Sequence, residues 1–286
     1  MGLFSKTNKI LVYGSNGWIG SLFVKLLQDQ GIKYHEGTSR VDQEKQIIHE
    51  INKIKPTHII AFIGRTHGTV HGVSINTIDY LEYPGKLREN IRDNLFAPMI
   101  LSSICAEKKI HYTYIGTGCI FNNLDKIYHE DDIPDFFGSS YSIVKGFTDR
   151  LIRTNNVLNI RIRMPISSVS NNRNFINKIL SYKNICSMKN SMTVLDDYLP
   201  IILDLLLKKK TGTYNCTNPG TISHDEILCM YKDDHPDFTW KLMTLEEQKK
   251  YIKSERSNNE LDVTKISNNY KVPDIHTSVK KILLGF

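Results

Sequence analysis

Short apolar runs alternate with amphipathic stretches along the first half of the chain. Lys9-Ile10-Leu11-Val12-Tyr13 reads as a buried strand, and Gly14 to Gly20 as the turn that leaves it. Phe23, Val24, Leu26 and Leu27 then mark one face of a helix that stops near Gly31. The same alternation predicts strands at Thr57–Ile63, His111–Ile115 and Leu158–Met164, with Ser102–Ala106 and Lys145–Leu151 on intervening helices. Strands that alternate with helices make right-handed βαβ units. The predicted fold is therefore α/β, a doubly wound parallel sheet covered on both faces.

After Pro165 the periodicity weakens, and Asn and Ser become frequent. A helix at Tyr198–Leu207 and a strand at Gly212–Cys216 still look regular, and short helices follow at Ser223–Tyr231 and Thr244–Ile252. This shift predicts a sheet domain over residues 1–164 and a smaller, interleaved C-terminal lobe over residues 165–286. About 198–217 are expected to return to the sheet domain. No internal repeat or low-complexity linker separates the two parts, so they should share one interface.

Composition narrows the partners. With 286 residues, 40% of them hydrophobic and 23% charged, the chain can bury a large core, which excludes wholesale disorder and coiled coil. No apolar run is long enough to span a bilayer, and no basic-then-apolar leader precedes the first strand. A cytoplasmic protein without membrane partners is expected. The abundance of Ile, Lys and Asn hints at an AT-rich genome, a large virus or a protist, which would make it the host cytoplasm in the viral case. The start Met1–Lys6 nearly fits a myristoylation signal, but Lys6 stands where Ser or Thr belongs.

The cysteines Cys105, Cys119, Cys186, Cys216 and Cys229 are odd in number and form no CxxC. Neither a disulfide frame nor a metal site is expected. The net charge of +7 favours an anionic ligand, yet the lysines are dispersed and no nucleic-acid reading module is visible. A phosphate-bearing small molecule fits better.

The sharpest local signal is Gly14-Ser15-Asn16-Gly17-Trp18-Ile19-Gly20, set between a strand and a helix. Glycines at those three points allow a tight turn, close approach to a pyrophosphate and close helix packing, and the helix N-terminus offers free N–H groups to phosphate. Gly14, Asn16, Gly17, Trp18, Ile19 and Gly20 are thus candidates to hold a dinucleotide. Where the second strand ends, Thr38-Ser39-Arg40 replaces the acidic residue that would hold the ribose hydroxyl of NAD. Arg40 can pair with a 2′-phosphate, which favours NADPH and leaves NADH open. The alternative is an exposed loop arginine answered by Asp42.

Tyr141-Ser142-Ile143-Val144-Lys145 places a phenol and an ammonium at i and i+4 on one helix face. The lysine, with a nicotinamide ribose, can lower the tyrosine pKa so that the phenol gives a proton to a carbonyl as hydride arrives. Thr117 stands 24 residues earlier, at the end of a core strand. The glycine spacing GxxGxxG, with this Thr-Tyr-Lys set, resembles the extended short-chain dehydrogenase/reductase family and its Rossmann-type sheet. In that resemblance Tyr141 and Lys145 also contact the cofactor, and Thr117 positions the substrate carbonyl.

A third signal narrows the resemblance. Gly116-Thr117-Gly118-Cys119-Ile120-Phe121 puts a thiol two residues beyond the hydroxyl. Together with Phe137 to Lys145, Arg161 to Ser168, Asn172 to Lys178, Asn190 to Leu195, Thr217 to His224 and Arg256 to Asp262, it resembles the bifunctional nucleotide-rhamnose synthase/epimerase-reductases over nearly the whole chain. These occur free-standing and as the C-terminal part of plant UDP-rhamnose synthases. A more distant likeness is to GDP-fucose synthase.

The resemblance implies a 3,5-epimerase/4-reductase that turns UDP-4-keto-6-deoxy-D-glucose into UDP-L-rhamnose with NADPH. It implies a separate 4,6-dehydratase to supply the substrate, and a homodimer formed through two helices per subunit. Cys119 and Lys178 become the acid/base pair at C3 and C5, where the C4 ketone acidifies the protons. Their bland readings are a buried small hydrophobe and an exposed helix lysine. Asn174 and Phe175 are expected to line the uridine pocket and Arg256 to approach the diphosphate. Asn94, placed on a helix after the fourth strand, would brace the site, and His224 would cap or brace the helix beginning near Asp225. The rivals are a GDP- or dTDP-linked epimerase/reductase, a 4-reductase without epimerase activity, and a non-catalytic NADP-binding regulatory subunit.

Overall fold

The computed structural model describes residues 8–286. The near-myristoylation start lies outside them. In chain order, β1 (Ile10–Tyr13), α1 (Trp18–Asp29), β2 (Tyr34–Glu36), α2 (Glu44–Ile54) and β3 (His58–Ala61) come first. A hairpin of β4 (Gly68–Val70) and β5 (Val73–Ile75) follows, then a 3-10 turn, Ile78–Glu82. Next, α3 (Lys86–Ile91) runs through a π turn at Arg92–Phe96 into α4 (Ala97–Glu107). The second half holds β6 (His111–Thr117), β7 (Ile127–Tyr128), α5 (Ser140–Ile152), β8 (Leu158–Ile162), α6 (Phe175–Leu180), β9 (Asn184–Ile185), α7 (Leu195–Leu207) and β10 (Gly212–Asn215). It closes with α8 (His224–Asp234), β11 (Lys241–Leu242), α9 (Leu245–Gln248), β12 (Glu260–Leu261), α10 (Thr264–Ser267) and α11 (Ile275–Leu283).

Six strands form one sheet in the order β10-β8-β6-β3-β1-β2, every pairing parallel. The order reverses direction between β1 and β3, the kind of switch point outside whose carboxyl ends α/β sheets bind ligands. All four residues of β1 are buried, as a parallel strand covered on both faces requires. Ile10 and Val12 point into a core with Phe23 and Leu27 of α1 and Leu199 and Ile202 of α7. Leu11 and Tyr13 point into the opposite core, with Ile47 of α2 and Leu101 of α4. A third core joins α6, α8 and α11 through Ile176, Ile179, Ile227 and Val279.

The predicted strands are present but shorter or longer at their ends. Thr57–Ile63 is extended only over His58–Ala61, and Leu158–Met164 only to Ile162, because Met164 turns out of the sheet at φ 38°. The fourth sheet strand runs on to Thr117, two residues beyond the predicted end. The hairpin β4–β5, the π turn and the two-residue pairs β9–β11 and β7–β12 are too short to give a periodic signal. β10 adds to the sheet edge beside β8, so the chain re-enters the sheet after leaving it at Met164.

Candidate active site

The glycine turn follows from local sterics. Gly14 sits at φ 77°, in the left-handed region, and a Cβ there would lie 3.0 Å from the Phe62 carbonyl carbon beyond β3. A Cβ on Gly20 would stand 2.1 Å from the Gly14 oxygen, so α1 can lie against the turn only with glycine there. Gly17 caps α1 without a side-chain hydrogen bond, and the first turn carries no acid. The helix therefore keeps its N–H groups and positive end free for an anion, which fits a pyrophosphate.

A cleft of about 950 Å³ runs from this turn to the C-terminal lobe. Gly17, Trp18, Ile19 and Gly20 line one end; Thr117, Cys119, Tyr141 and Lys145 the middle; Phe175, Lys178 and Arg256 the other. Gly14 lies behind the turn, while Asn16 is exposed, and neither lines the cleft. Arg40 also stands outside it, exposed and paired with Asp42 through Nε at 3.0 Å and Nη2 at 3.1 Å. Beside it, buried Glu50 accepts the Thr38 and Ser39 N–H groups and the Tyr13 hydroxyl, fixing the loop after β2.

In the middle of the cleft, Thr117 ends β6, and its Oγ accepts the Cys119 N–H at 3.0 Å, with Tyr141 lining the same stretch. Burial raises the Tyr141 phenol above its ordinary value, and the Lys145 ammonium donates to the Tyr114 hydroxyl instead. Lys145 itself is lowered to about 7 by burial, with Asp149 and Cys119 acting in the opposite sense.

The π turn carries Asn94, which lies ahead of the fourth sheet strand rather than after it. Its amide accepts the Arg65 N–H at 2.9 Å and donates to the Arg65 carbonyl at 2.8 Å, while Thr148 of α5 caps its own carbonyl at 2.7 Å. The two hydrogen bonds pin the loop after β3 to the π turn, and Thr148 ties that turn to α5.

At the lobe end, Lys178 is half-buried among cations; desolvation first, then Arg173 and Arg256, lower its pKa. Arg256 pairs with Asp79 at 2.5 Å, and despite burial that contact holds the Asp79 carboxyl at about 2. Asn174 is corrected. It is fully buried, caps α6 by accepting the Ile176 N–H at 3.2 Å, and spends its amide on Ser167 and Val169, so it does not line the cleft. An Asn just before an apolar helix start was a readable capping signal. Phe175 does line the cleft and packs on His224, 5.0 Å between ring centroids. His224 opens α8 but does not cap it, since Ser223 and Glu226 form the capping box.

Sequence reasoning passed over Tyr114, His67, Arg173 and Asp79. His67 is pushed down to about 4 by burial and then by Arg173, whose guanidinium it meets at 2.5 Å. Among the described residues that line the cleft, Lys145, Arg173, Lys178, Lys183, Lys253 and Arg256 face Asp79 as the sole carboxylate. Such a wall suits a ligand with several negative charges. Also among the described residues, no group of His, Cys, Asp or Glu is arranged to hold a metal ion, and all five cysteines are free. No described helix is long and apolar enough to cross a membrane.

A glycine turn at the switch point of a parallel sheet, with a hydroxyl, a phenol and an ammonium beside the end of the fourth sheet strand, defines an extended short-chain dehydrogenase/reductase. The chain belongs to the NAD dependent epimerase/dehydratase family, whose model matches residues 10–194. It is 40% identical over 295 residues to the bifunctional dTDP-4-dehydrorhamnose 3,5-epimerase/dTDP-4-dehydrorhamnose reductase of Arabidopsis thaliana, covering 100% of this chain and 94% of that one. The crystal structure of the L780 UDP-rhamnose synthase from Acanthamoeba polyphaga mimivirus matches with a TM-score of 0.93 and 48% identity, covering 97% of this chain and 99% of that one. A dTDP-4-dehydrorhamnose reductase from Bacillus anthracis in complex with NADP shares the fold at a TM-score of 0.79 and 15% identity, over 98% of this chain and 100% of that one. The chain is an epimerase/reductase enzyme of nucleotide-sugar metabolism that works with a nicotinamide nucleotide.

Proposed function

We propose that the enzyme converts UDP-4-keto-6-deoxy-D-glucose to UDP-L-rhamnose, with NADPH as reductant. The observation that carries this reading is that Gly17, Thr117, Cys119, Tyr141, Lys145 and Lys178 all line one cleft. In this reading residues 1–164 form the part that binds NADP, and residues 165–286, apart from about 198–217, chiefly bind the sugar nucleotide. Gly17 to Gly20 and the α1 N-terminus hold the pyrophosphate, while Arg40 turns from Asp42 to the 2′-phosphate. When bound, the nicotinamide supplies the hydride that reduces C4. Arg173, Lys178 and Arg256 answer the substrate's diphosphate, and Phe175 packs against the uridine.

The C4 ketone makes the protons on C3 and C5 acidic. Cys119 takes such a proton, the electron pair moves to the C4 oxygen as an enolate, and Lys178 returns a proton from the opposite face. Lys178 suits that role because the surrounding cations ease loss of its own proton. Tyr141 then protonates the C4 oxygen on reduction, and its raised pKa keeps that proton in place until it is needed. Epimerisation precedes reduction, because an alcohol at C4 no longer acidifies its neighbours.

The substrate comes from a separate 4,6-dehydratase. In Arabidopsis the trifunctional UDP-glucose 4,6-dehydratase/epimerase/reductase is one longer protein, and this chain matches 41% of its length at 39% identity. A homodimer is supported by the exposed apolar side chains Leu87, Ile91 and Phe96, and by Phe147 and Leu151 on neighbouring α5. The test is incubation with NADPH and UDP- or dTDP-4-keto-6-deoxyglucose, followed by NMR of the product sugar. A rhamnose product bears out the reading, and the preferred nucleotide decides the base. A product reduced at C4 without inversion at C3 and C5 refutes it.

A further inference from the structure

The 3-10 turn Ile78–Glu82 joins two parts of the cleft that lie far apart in the chain. On one side Glu82 Oε1 accepts the Ser140 N–H at 2.8 Å and the Ser140 hydroxyl at 2.9 Å, at the start of α5. Tyr80 and Leu81 share a buried cluster with Tyr141, the next residue of α5. On the other side stands Asp79. Its Oδ1 accepts the Lys253 N–H at 2.8 Å, and the Ser254 N–H and hydroxyl at 3.0 Å each. Its Oδ2 accepts the Thr77 hydroxyl at 2.7 Å and Arg256 Nη2 at 2.5 Å.

All of these but the Thr77 bond come from a stretch 174 to 177 residues away. That stretch lies between α9 and β12 and has no helix or strand of its own to fix it. Its far part is held by Ser257 donating to the Phe121 carbonyl at 2.6 Å and by the Asn258 N–H on Asn122 at 2.9 Å. The part beside the cleft is held by Asp79, by the Glu255 N–H on the Gly138 carbonyl at 3.0 Å, and by Lys253 lying 4.7 Å over the Tyr83 ring. Among these ties only Asp79 brings a charged acceptor, and its side chain is 14% exposed, so water replaces it poorly. Arg256 spends Nη1 on the Ser254 carbonyl at 2.9 Å and Nη2 on Asp79, and among the described residues its Nε donates to nothing. A donor on the cleft wall is thus aimed and left free.

We propose that Asp79 is a positioning residue for the sugar nucleotide: it straps the loop over residues 249–256 beside the cleft and presents Arg256 to the diphosphate in register with Tyr141. The proposal rests on the reading of Arg256 as a diphosphate ligand. A loop and a long side chain ordered in advance spare the ligand the cost of ordering them, so the carboxylate aids the binding of an anion it would by itself repel.

The test uses the whole protein, unaltered and as Asp79→Asn, Asp79→Ala and Arg256→Ala, with UDP as the probe in calorimetry and trypsin as reporter of the loop. The bond cut after Lys253 carries the Ser254 N–H that Asp79 accepts. Cleavage there is compared with that of a free peptide of residues 247–260. Asp79→Ala should be cut roughly tenfold faster than the unaltered protein and bind UDP about tenfold more weakly. Asp79→Asn keeps an acceptor for the amides but loses the ion pair, and should fall between. The KM for the 4-keto sugar nucleotide should rise in step, with kcat changed far less and NADPH affinity unmoved, a split that a general loss of structure would not give. Unchanged or tighter UDP binding in a folded Asp79→Ala overturns the proposal and leaves the carboxylate a mere counter-charge. Cleavage after Lys253 in the unaltered protein as fast as in the peptide overturns it even if both Asp79 variants fail to fold. Failure of the underlying reading is seen separately, as normal UDP binding in Arg256→Ala, and takes the proposal with it.

Discussion

Asp149→Asn probes the joint between the sheet and the catalytic helix. Asp149 is 2% exposed and lies four residues after Lys145 on α5. It accepts two hydrogen bonds from Arg161 at 2.8 Å, one from Arg153 at 3.2 Å and one from Asn159 at 2.9 Å. Removing its charge strands a fully buried guanidinium, which costs about 3–5 kcal/mol. For a chain of this size the thermal midpoint should fall by roughly 6–20 °C. Burial pushes the Asp149 carboxyl up, but Arg161 and Arg153 more than offset this and hold it below its ordinary value. A depressed carboxylate contributes stability above its unfolded value of ~4, and loses it as pH falls through the folded value. The gap between the two proteins should therefore be full at pH 7 and narrow in acid.

Asp149 also raises Lys145 against the lowering by burial, so its loss should move Lys145 further below about 7. If the ammonium is the active form, the alkaline limb of the reduction rate moves to lower pH, each unit marking ~1.4 kcal/mol of lost interaction. Scanning calorimetry at pH 4 and 7 and NADPH oxidation from pH 5 to 9 measure both effects. An unchanged midpoint at pH 7, or a rate profile that stays in place, refutes the reasoning.

Gly17→Val should raise the Kd for NADPH by roughly a hundredfold, about 2.7 kcal/mol, because a branched side chain at the α1 cap fills the pyrophosphate's approach; titration by fluorescence checks this. Arg40→Ala should raise the KM for NADPH about tenfold more than that for NADH, and equal effects would remove Arg40 from 2′-phosphate recognition. The purified protein with NAD should leave UDP-glucose unconsumed, since a dehydratase needs a second set of acid and base groups; loss of UDP-glucose by chromatography would contradict this.

What the sequence discloses and what it hides divide along contact distance. The sheet strands are legible because each is a short apolar run buried on both faces, and the glycine turn because its steric demand is local. Tyr141 and Lys145 are legible because one helix turn sets their spacing. The Arg163 environment is not, because its acceptors Asn190 and Asn259 lie 27 and 96 residues away and meet it only after folding. The Asp149–Arg161 pair spans α5 and β8 in the same way. The contact of Lys145 with Tyr114 is hidden too, because that hydroxyl comes from the adjoining strand. The N-cap role of Asn174 is local and therefore legible, an Asn placed just before the apolar start of α6.

The central claim is that one cleft houses two separable chemistries, proton transfer at C3 and C5 and reduction at C4. The most direct measurement mixes 4-keto substrate in deuterated water with the unaltered enzyme, Cys119→Ser or Tyr141→Phe, following label by NMR and NADPH by absorbance. Cys119→Ser should lose exchange at C3 and C5, because a serine hydroxyl is a far weaker acid than a thiol. Tyr141→Phe should keep exchange while NADPH oxidation falls by roughly a hundredfold or more. Normal exchange at both carbons in Cys119→Ser, or undiminished NADPH oxidation in Tyr141→Phe, would contradict the account.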